Sequence, residues 1–303
     1  MSENEVRDDH SLQTAVRDLF IGSAPERESD LVGMWKELDL IFQLTPDMHE
    51  GDRIIMDAGA YRYIRFNHRV LRAFWIGGYA AWEGYRTVAE SPSLQALDLT
   101  RFRELVSAYE SCLASTEADL EALPVGVAEP GQYPDANIDP QGRAASELAT
   151  IAVAWALLHE LRHIRHQREG TGADPHSEDK SAKHAEELSC DAFATTFLLE
   201  QIDLYATGQS ADLVRQKRQL GIYFGLFAVT LLAKDKWGES KTHPAVQVRI
   251  DAVRTLMADQ KSDIAAAMAH FAFAVLGIVW PGAPSHIRES RTSSLSLWRI
   301  AEP

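Results

Sequence analysis

His159, Glu160 and His163 form an H-E-x-x-H within Trp155-Ala-Leu-Leu-His-Glu-Leu-Arg-His163. On a helix, residues four apart share a face one turn apart, so both imidazoles can reach one cation. Glu160, beside the first imidazole, is placed to take a proton from a metal-bound water. The chemistry offered by this spacing is metal-assisted hydrolysis. The apolar, helix-compatible run 151–158 leads into the motif, which therefore enters on a buried helix rather than in a polar loop.

A catalytic zinc needs a third protein ligand and an open fourth position. Downstream, Ala185-Glu-Glu-Leu-Ser-Cys-Asp191 opens a second helical pattern, with Glu187 and Asp191 one turn apart. Glu187 can supply the third, oxygen ligand. Asp191 can accept the spare N–H of a ligand histidine and fix its tautomer. Glu186 is adjacent but about 100° around the helix, with no acidic partner four residues on. His184 is one turn before Glu187 and is a further ligand candidate, though it reads first as an exposed residue near the helix start. Glu169 falls where a metzincin carries its third ligand, but His166 stands where that class needs a glycine. Helix-dipole stabilisation alone also accounts for an acidic helix start.

A third element is Thr242-His243-Pro-Ala-Val-Gln-Val-Arg249-Ile250. Thr242 or His243 is positioned to cap a helix with Pro244 at its first position. The same His243 can act as a donor to the oxyanion of a tetrahedral intermediate. Arg249 can pair with a buried carboxylate and anchor that helix.

H-E-L-x-H, then E-x-x-C-D-A-x-A, then T-H-P-x-x-x-x-R-I resembles the gluzincin metallopeptidases of the prenyl-protein and membrane heat-shock protease type. The resemblance covers about residues 150–255. Cys190 occupies a slot that is usually alanine there, and the transmembrane helices of that group are missing. The resemblance implies one Zn2+ per chain on His159, His163 and Glu187, with Glu160 as base and Asp191 beside the ligands. It also places His243 near the active site. A soluble group is similar as well: the Lit-like phage-exclusion peptidases, which are cytosolic and cut a translation factor. Tyr61-Arg-Tyr-Ile-Arg-Phe-Asn-His-Arg69 carries that second resemblance. Ligand types alone leave cobalt or manganese open.

Bulk properties agree with a cytoplasmic enzyme. The net charge of −14 disfavours nucleic-acid backbones and anionic membrane surfaces. Two cysteines, Cys112 and Cys190, do not make a disulfide framework. The acidic, polar start Met1-Ser-Glu-Asn-Glu does not read as a signal peptide. The apolar run 221–233 is too short to span a bilayer. The run 264–280, at the bottom of the spanning range, reads as a core helix, with membrane association as the alternative.

The expected fold is mainly α, an α+β zincin-like helical bundle around the H-E-x-x-H helix, with a small β-hairpin or edge strand. Helical patterns fall at about 11–21, 29–43, 68–90 and 98–122, and residues 52–66 are the strand candidate. The expected organisation is an N-terminal helical region 1–123, a proline-rich loop 124–142 and a catalytic core 143–303. The loop is either a boundary or a cover over the cleft. The function expected is a regulated zinc endopeptidase acting on an intracellular protein or peptide, with an activating partner. The alternative is a zinc-binding regulator or pseudoenzyme working through protein–protein interaction.

Overall fold

The computed structural model describes residues 10–38, 56–59, 63–66, 68–115, 122–174, 176–205 and 210–286. Among them the fold is mainly helical. In chain order the helices are α1 (His10–Gly22), α2 (Glu28–Leu38), α3 (His68–Ala89), α4 (Thr100–Ala114), α5 (Pro140–Glu169), α6 (Lys180–Leu199), α7 (Ala211–Leu232), α8 (Val246–Leu256) and α9 (Asp263–Val279). Two four-residue strands, β1 (Met56–Gly59) and β2 (Tyr63–Phe66), pair antiparallel, with Met56 opposite Phe66. The expected helix 98–122 ends early, at Ala114; α2 is described as far as Leu38, and residues 39–43 and 116–121 lie outside the described residues.

The long helix α5 organises the rest. Asp139 caps it by accepting from the Gly142 N–H at 2.8 Å, and Pro140 sits in its first turn. Gly170 ends it at φ 67°, a conformation that favours glycine, and the Thr171 and Gly172 N–H groups donate to the His166 carbonyl. Every residue from 151 to 161 is buried, so the helix runs through the core rather than over it. α3, α6 and α7 pack around it, and α9 closes the bundle against α3 and α7. Two crossings depend on glycine. A Cβ on Gly78 of α3 would lie 2.7 Å from the Ala149 Cβ, and one on Gly225 of α7 would lie 2.9 Å from the Trp155 ring. Without those side chains the backbones approach closely, and packing at this density leaves no room to restore them.

One helix among the described residues is long and apolar enough to cross a membrane, by length and composition. It is α5, and 89% of its most apolar stretch is buried inside the bundle. The apolar run 221–233 falls mostly in the second half of α7. The run 264–280 corresponds to α9, which is core on one side only: Ala265, Ala269, Phe273 and Leu276 are buried, while Ile264, Phe271 and Ile278 are exposed.

The proline-rich segment is anchored far from the H-E-x-x-H. The Trp75 indole donates to the Ala128 carbonyl at 2.8 Å, and the Ala128 N–H donates to the Tyr79 hydroxyl at 3.3 Å. Tyr133 and Thr150 share a hydroxyl–hydroxyl bond of 2.8 Å. These anchors hold the segment on α3 and the first third of α5. Thr150 precedes His159 by nine residues, about 14 Å of helix. Its contacts are those of a structural loop, and the expected role as a cover over the cleft does not follow from them.

Candidate metal centre

The site forms where α6 crosses the second half of α5. Asp179 starts α6 by accepting from the Ser181 and Ala182 N–H groups. The link 170–179 then turns α6 back against α5. One turn before His159, the Trp155 indole donates to the Thr195 hydroxyl at 3.0 Å and pins the crossing. His159, Glu160, Glu187, Cys190 and Asp191 are all buried there.

Two imidazole nitrogens and both oxygens of one carboxylate converge. The Nε2 atoms of His159 and His163 are 3.2 Å apart. Glu187 Oε2 lies 3.4 Å from His159 Nε2, and its Oε1 lies 3.3 Å from His163 Nε2. A tetrahedral ion with nitrogen and oxygen ligands at 2.0–2.1 Å sets those ligands about 3.3–3.4 Å from each other. Glu187 Oε2 is buried and makes no hydrogen bond, a costly arrangement for a carboxylate oxygen unless a cation answers it. The donors present therefore fit a small divalent metal.

The far nitrogens are both engaged. His159 Nδ1 meets Asp191 Oδ1 at 2.9 Å, and His163 Nδ1 meets Glu186 Oε1 at 2.6 Å. With Nδ1–H donated to a carboxylate, each ring faces inward through Nε2, which would offer its lone pair once a metal displaced the proton there. Glu186 is the residue the sequence reading missed. Its position 100° from Glu187 removes it as a ligand on the same face, but it reaches the outer side of the second imidazole. Its other oxygen accepts from the Ala173 N–H at 2.5 Å, which fixes the carboxylate. No spacing rule signalled it; the angle at which α6 crosses α5 decides it.

Arg249 closes the network from α8. Its Nε donates to Asp191 Oδ2 at 2.8 Å and its Nη2 to Asp191 Oδ1 at 2.7 Å. Its Nη1 lies 3.9 Å from Glu187 Oε2. Burial pushes the Asp191 carboxyl up, but Arg249 and His159 outweigh it and hold it below the usual range. Burial likewise pushes Glu187 up, and the two imidazoles with Arg249 hold it well below. Burial disfavours charge on both rings, yet Asp191 and Glu187 raise His159, and Cys190, Glu186 and Glu187 raise His163, above the ordinary histidine value. Glu160, Glu186, Glu187 and Asp191 thus gather around the two imidazoles and Arg249 in one carboxylate-rich cluster.

His243 reaches the same place from the loop before α8. Its Nε2 is 3.4 Å from Glu187 Oε1, and its side chain is 57% exposed. Thr242 Oγ1 meets its Nδ1 at 2.7 Å. The loop is tied to the start of α6: Lys241 pairs with Glu178 at 2.6 Å, and His184 Nε2 donates to the Ser240 carbonyl at 3.0 Å. The capping expectation for Thr242-His243-Pro244 is corrected. Ala245 precedes α8, no side chain caps it, and Pro244 lies outside the helix. The Ser240 hydroxyl instead accepts from the His243 N–H at 2.9 Å.

Residues 64–270 match the family model for peptidase U49. The chain belongs to the peptidase U49 family. No curated protein and no solved structure matches it. The family match runs from within β2 into α9, so it takes in α3 and α4 as well as every residue of the cluster. It makes this a chain of proteolytic type.

Other donors on this peptidase's α5 and α6 are otherwise employed. Glu169 makes a surface ion pair with Arg162 at 3.1 Å, which takes it out of the ligand set. His166 is held between the Thr171 and Ser189 hydroxyls at 2.8 and 2.7 Å. Cys190 is different. His159, His163 and Cys190 offer ligand atoms within 4.8 Å of one another, and this buried cluster can hold a metal ion. Two third donors, Cys190 and Glu187, thus stand one turn apart on α6. Burial pushes the Cys190 thiol up, which keeps it neutral, whereas Glu187 is held ionised. A thiol ligates as thiolate, and a bound metal would itself remove the proton, so Cys190 and Glu187 both stand as candidate third donors.

Proposed function

We propose that this U49 peptidase is a zinc-dependent endopeptidase of the gluzincin type, with His159, His163 and Glu187 as its metal ligands. The observation that carries the reading is the approach of the Glu187 carboxylate to both imidazoles: His159 Nε2 and His163 Nε2 lie 3.2 Å apart, with Oε2 3.4 Å from the first and Oε1 3.3 Å from the second. When bound, zinc supplies a Lewis acid that makes water acidic and polarises a carbonyl.

The chain's own groups do the rest. Glu160 takes the proton from the attacking water and passes it to the leaving amine. His243, exposed at the edge of the cluster, donates to the oxyanion. Asp191 and Glu186 hold the two imidazoles in the tautomer that presents Nε2. Arg249 keeps Asp191 ionised and stitches α8, and with it the His243 loop, to α6. The strand pair β1–β2 runs beside α5 and offers a place for an extended peptide backbone to lie. The target class we infer is an intracellular protein in the cytoplasm, on the similarity to the soluble phage-exclusion peptidases. We place selectivity in substrate recognition rather than in the 124–142 loop.

The test is metal analysis joined to cleavage. Purified protein should carry one zinc per chain, and a His159→Ala/His163→Ala variant should carry far less. Glu160→Gln should keep the fold and the zinc but create none of the new protein N-termini that wild type creates in the same cells. Metal content unchanged in the double variant, or cleavage retained by Glu160→Gln, overturns the reading.

A further inference from the structure

α6 meets the two imidazoles with two pairs of side chains, each pair four residues apart and so on one face of the helix. Glu187 and Asp191 flank His159: Oε2 of the first lies 3.4 Å from Nε2, and Oδ1 of the second lies 2.9 Å from Nδ1. Glu186 and Cys190 flank His163 in the same way. Glu186 Oε1 meets Nδ1 at 2.6 Å, and the Cys190 thiol stands within hydrogen-bond reach of the same ring. One pair is all carboxylate; the other ends in sulfur.

That sulfur is wholly buried. Its ligand atom and one nitrogen from each of His159 and His163 all lie within 4.8 Å of one another, a spread that a single ion can gather. A buried, unpaired carboxylate oxygen, Glu187 Oε2, points to a cation in the same cluster. The two candidate third donors differ in kind. A carboxylate is a hard donor, whereas a thiolate is soft and selects thiophilic cations. A thiol must also lose its proton to bind. Cys190 and a divalent cation form a sulfur–metal bond as the S–H bond breaks, and the proton passes to water. A cation that bonds strongly to sulfur offsets that loss best. Both donor sets use the same two imidazoles, so filling one empties the other.

We propose that His159, His163 and Cys190 form a second, soft donor set, which takes a thiophilic divalent cation such as cadmium and expels the zinc held through Glu187. What is expelled rests on the zinc reading above; the sulfur set stands on the placement of Cys190. The peptidase is thereby sensitive to thiophilic metals, through a residue that zinc itself does not use.

The experiment titrates cadmium chloride into the full chain, metal-free and zinc-loaded. The readouts are the ultraviolet thiolate-to-cadmium charge-transfer band and the zinc released to a chromogenic chelator. Wild type should bind one cadmium with the band and give up its zinc. Cys190→Ala, a change that a helix accepts readily, should lose the band and resist zinc release while still loading zinc. Cys190→Ser, closer in size, repeats the measurement if alanine disturbs the circular dichroism. Glu187→Gln should lose most of its zinc and keep the band. Cadmium binding to wild type without the band would put cadmium on Glu187 as zinc is, overturning the proposal and leaving the zinc reading intact. A band that survives Cys190→Ala comes from Cys112 and overturns it likewise. Zinc lost from Cys190→Ala but kept by Glu187→Gln would make sulfur the zinc donor, and both readings would fall. Neither metal binding in a manner that needs His159 and His163 would also sink both.

Discussion

Arg249 holds Asp191 through two hydrogen bonds of 2.8 and 2.7 Å, and the Asp191 oxygen that takes the second bond also meets His159 Nδ1 at 2.9 Å. One buried ion pair therefore sets the tautomer of one imidazole and fastens α8 to α6. Removing one partner of such a pair leaves the other charge buried and unanswered. Arg249→Met should destabilise the fold by about 3–5 kcal/mol, read from urea unfolding. Asp191→Asn keeps an acceptor but loses the charge; it should weaken zinc binding about 10–100-fold, read by competition with a chelator. Unchanged affinity in Asp191→Asn would mean that the contact is structural only.

The three candidates on one turn of α6 should separate cleanly. Glu187→Gln should lose most of the metal. Glu186→Gln should keep the metal with affinity reduced about 10–100-fold, since it only orients His163. Cys190→Ala should bind zinc much as wild type does. If Cys190→Ala loses the metal and Glu187→Gln keeps it, the His159–His163–Cys190 set is the site instead.

That division shows what spacing can and cannot reveal. His159 with His163, and Glu187 with Asp191, are pairs within single helices, and the 3.6-residue period alone puts each pair on one face. Glu186 depends on how two helices cross, which no periodicity encodes. It was set aside for lying 100° from Glu187, and that same offset carries it to the outer nitrogen of His163. The reading of Thr242-His243-Pro244 as a cap failed for a related reason. Its residue types suit a helix start, but Lys241 is tied to Glu178 in the link before α6 and the Ser240 carbonyl to His184 of α6, and the segment stays outside the helix. The apolarity of α9 does read correctly as a core helix, and what it leaves unsaid is which face is buried.

His243 now has a sharper test. Its side chain is mostly exposed and caps nothing, so His243→Ala should leave melting unchanged. Activity per folded molecule should fall about 10²-fold in kcat if the ring donates to the oxyanion. His243→Gln, which keeps a donor, should recover part of that loss. Full activity in His243→Ala would leave the ring as a bystander at the rim.

His286 offers a stability switch independent of the metal. It is 1% exposed, packed edge-on to the Tyr223 ring at 4.4 Å and near Phe273, and among the described residues neither ring nitrogen has a hydrogen-bond partner. Burial, with smaller contributions from Arg254, His270 and Lys261, pushes its pKa down to about 3. The folded state therefore binds the neutral ring, while the unfolded chain takes up a proton near the ordinary value of about 6.5. The stabilisation is fully present above that value and is lost progressively as pH falls toward about 3. At pH 5 the loss should amount to about 2 kcal/mol relative to pH 7, at about 1.4 kcal/mol per pH unit. His286→Phe keeps the ring packing and removes the titration. His159 and His163 titrate in both proteins, so the difference between wild type and His286→Phe isolates His286. Urea unfolding of both at pH 7 and pH 5, in the same metal state, should show the gap between the two pH values shrinking in the variant by about that amount. Equal gaps in the two proteins would mean that His286 stays neutral, or is solvated, in both states.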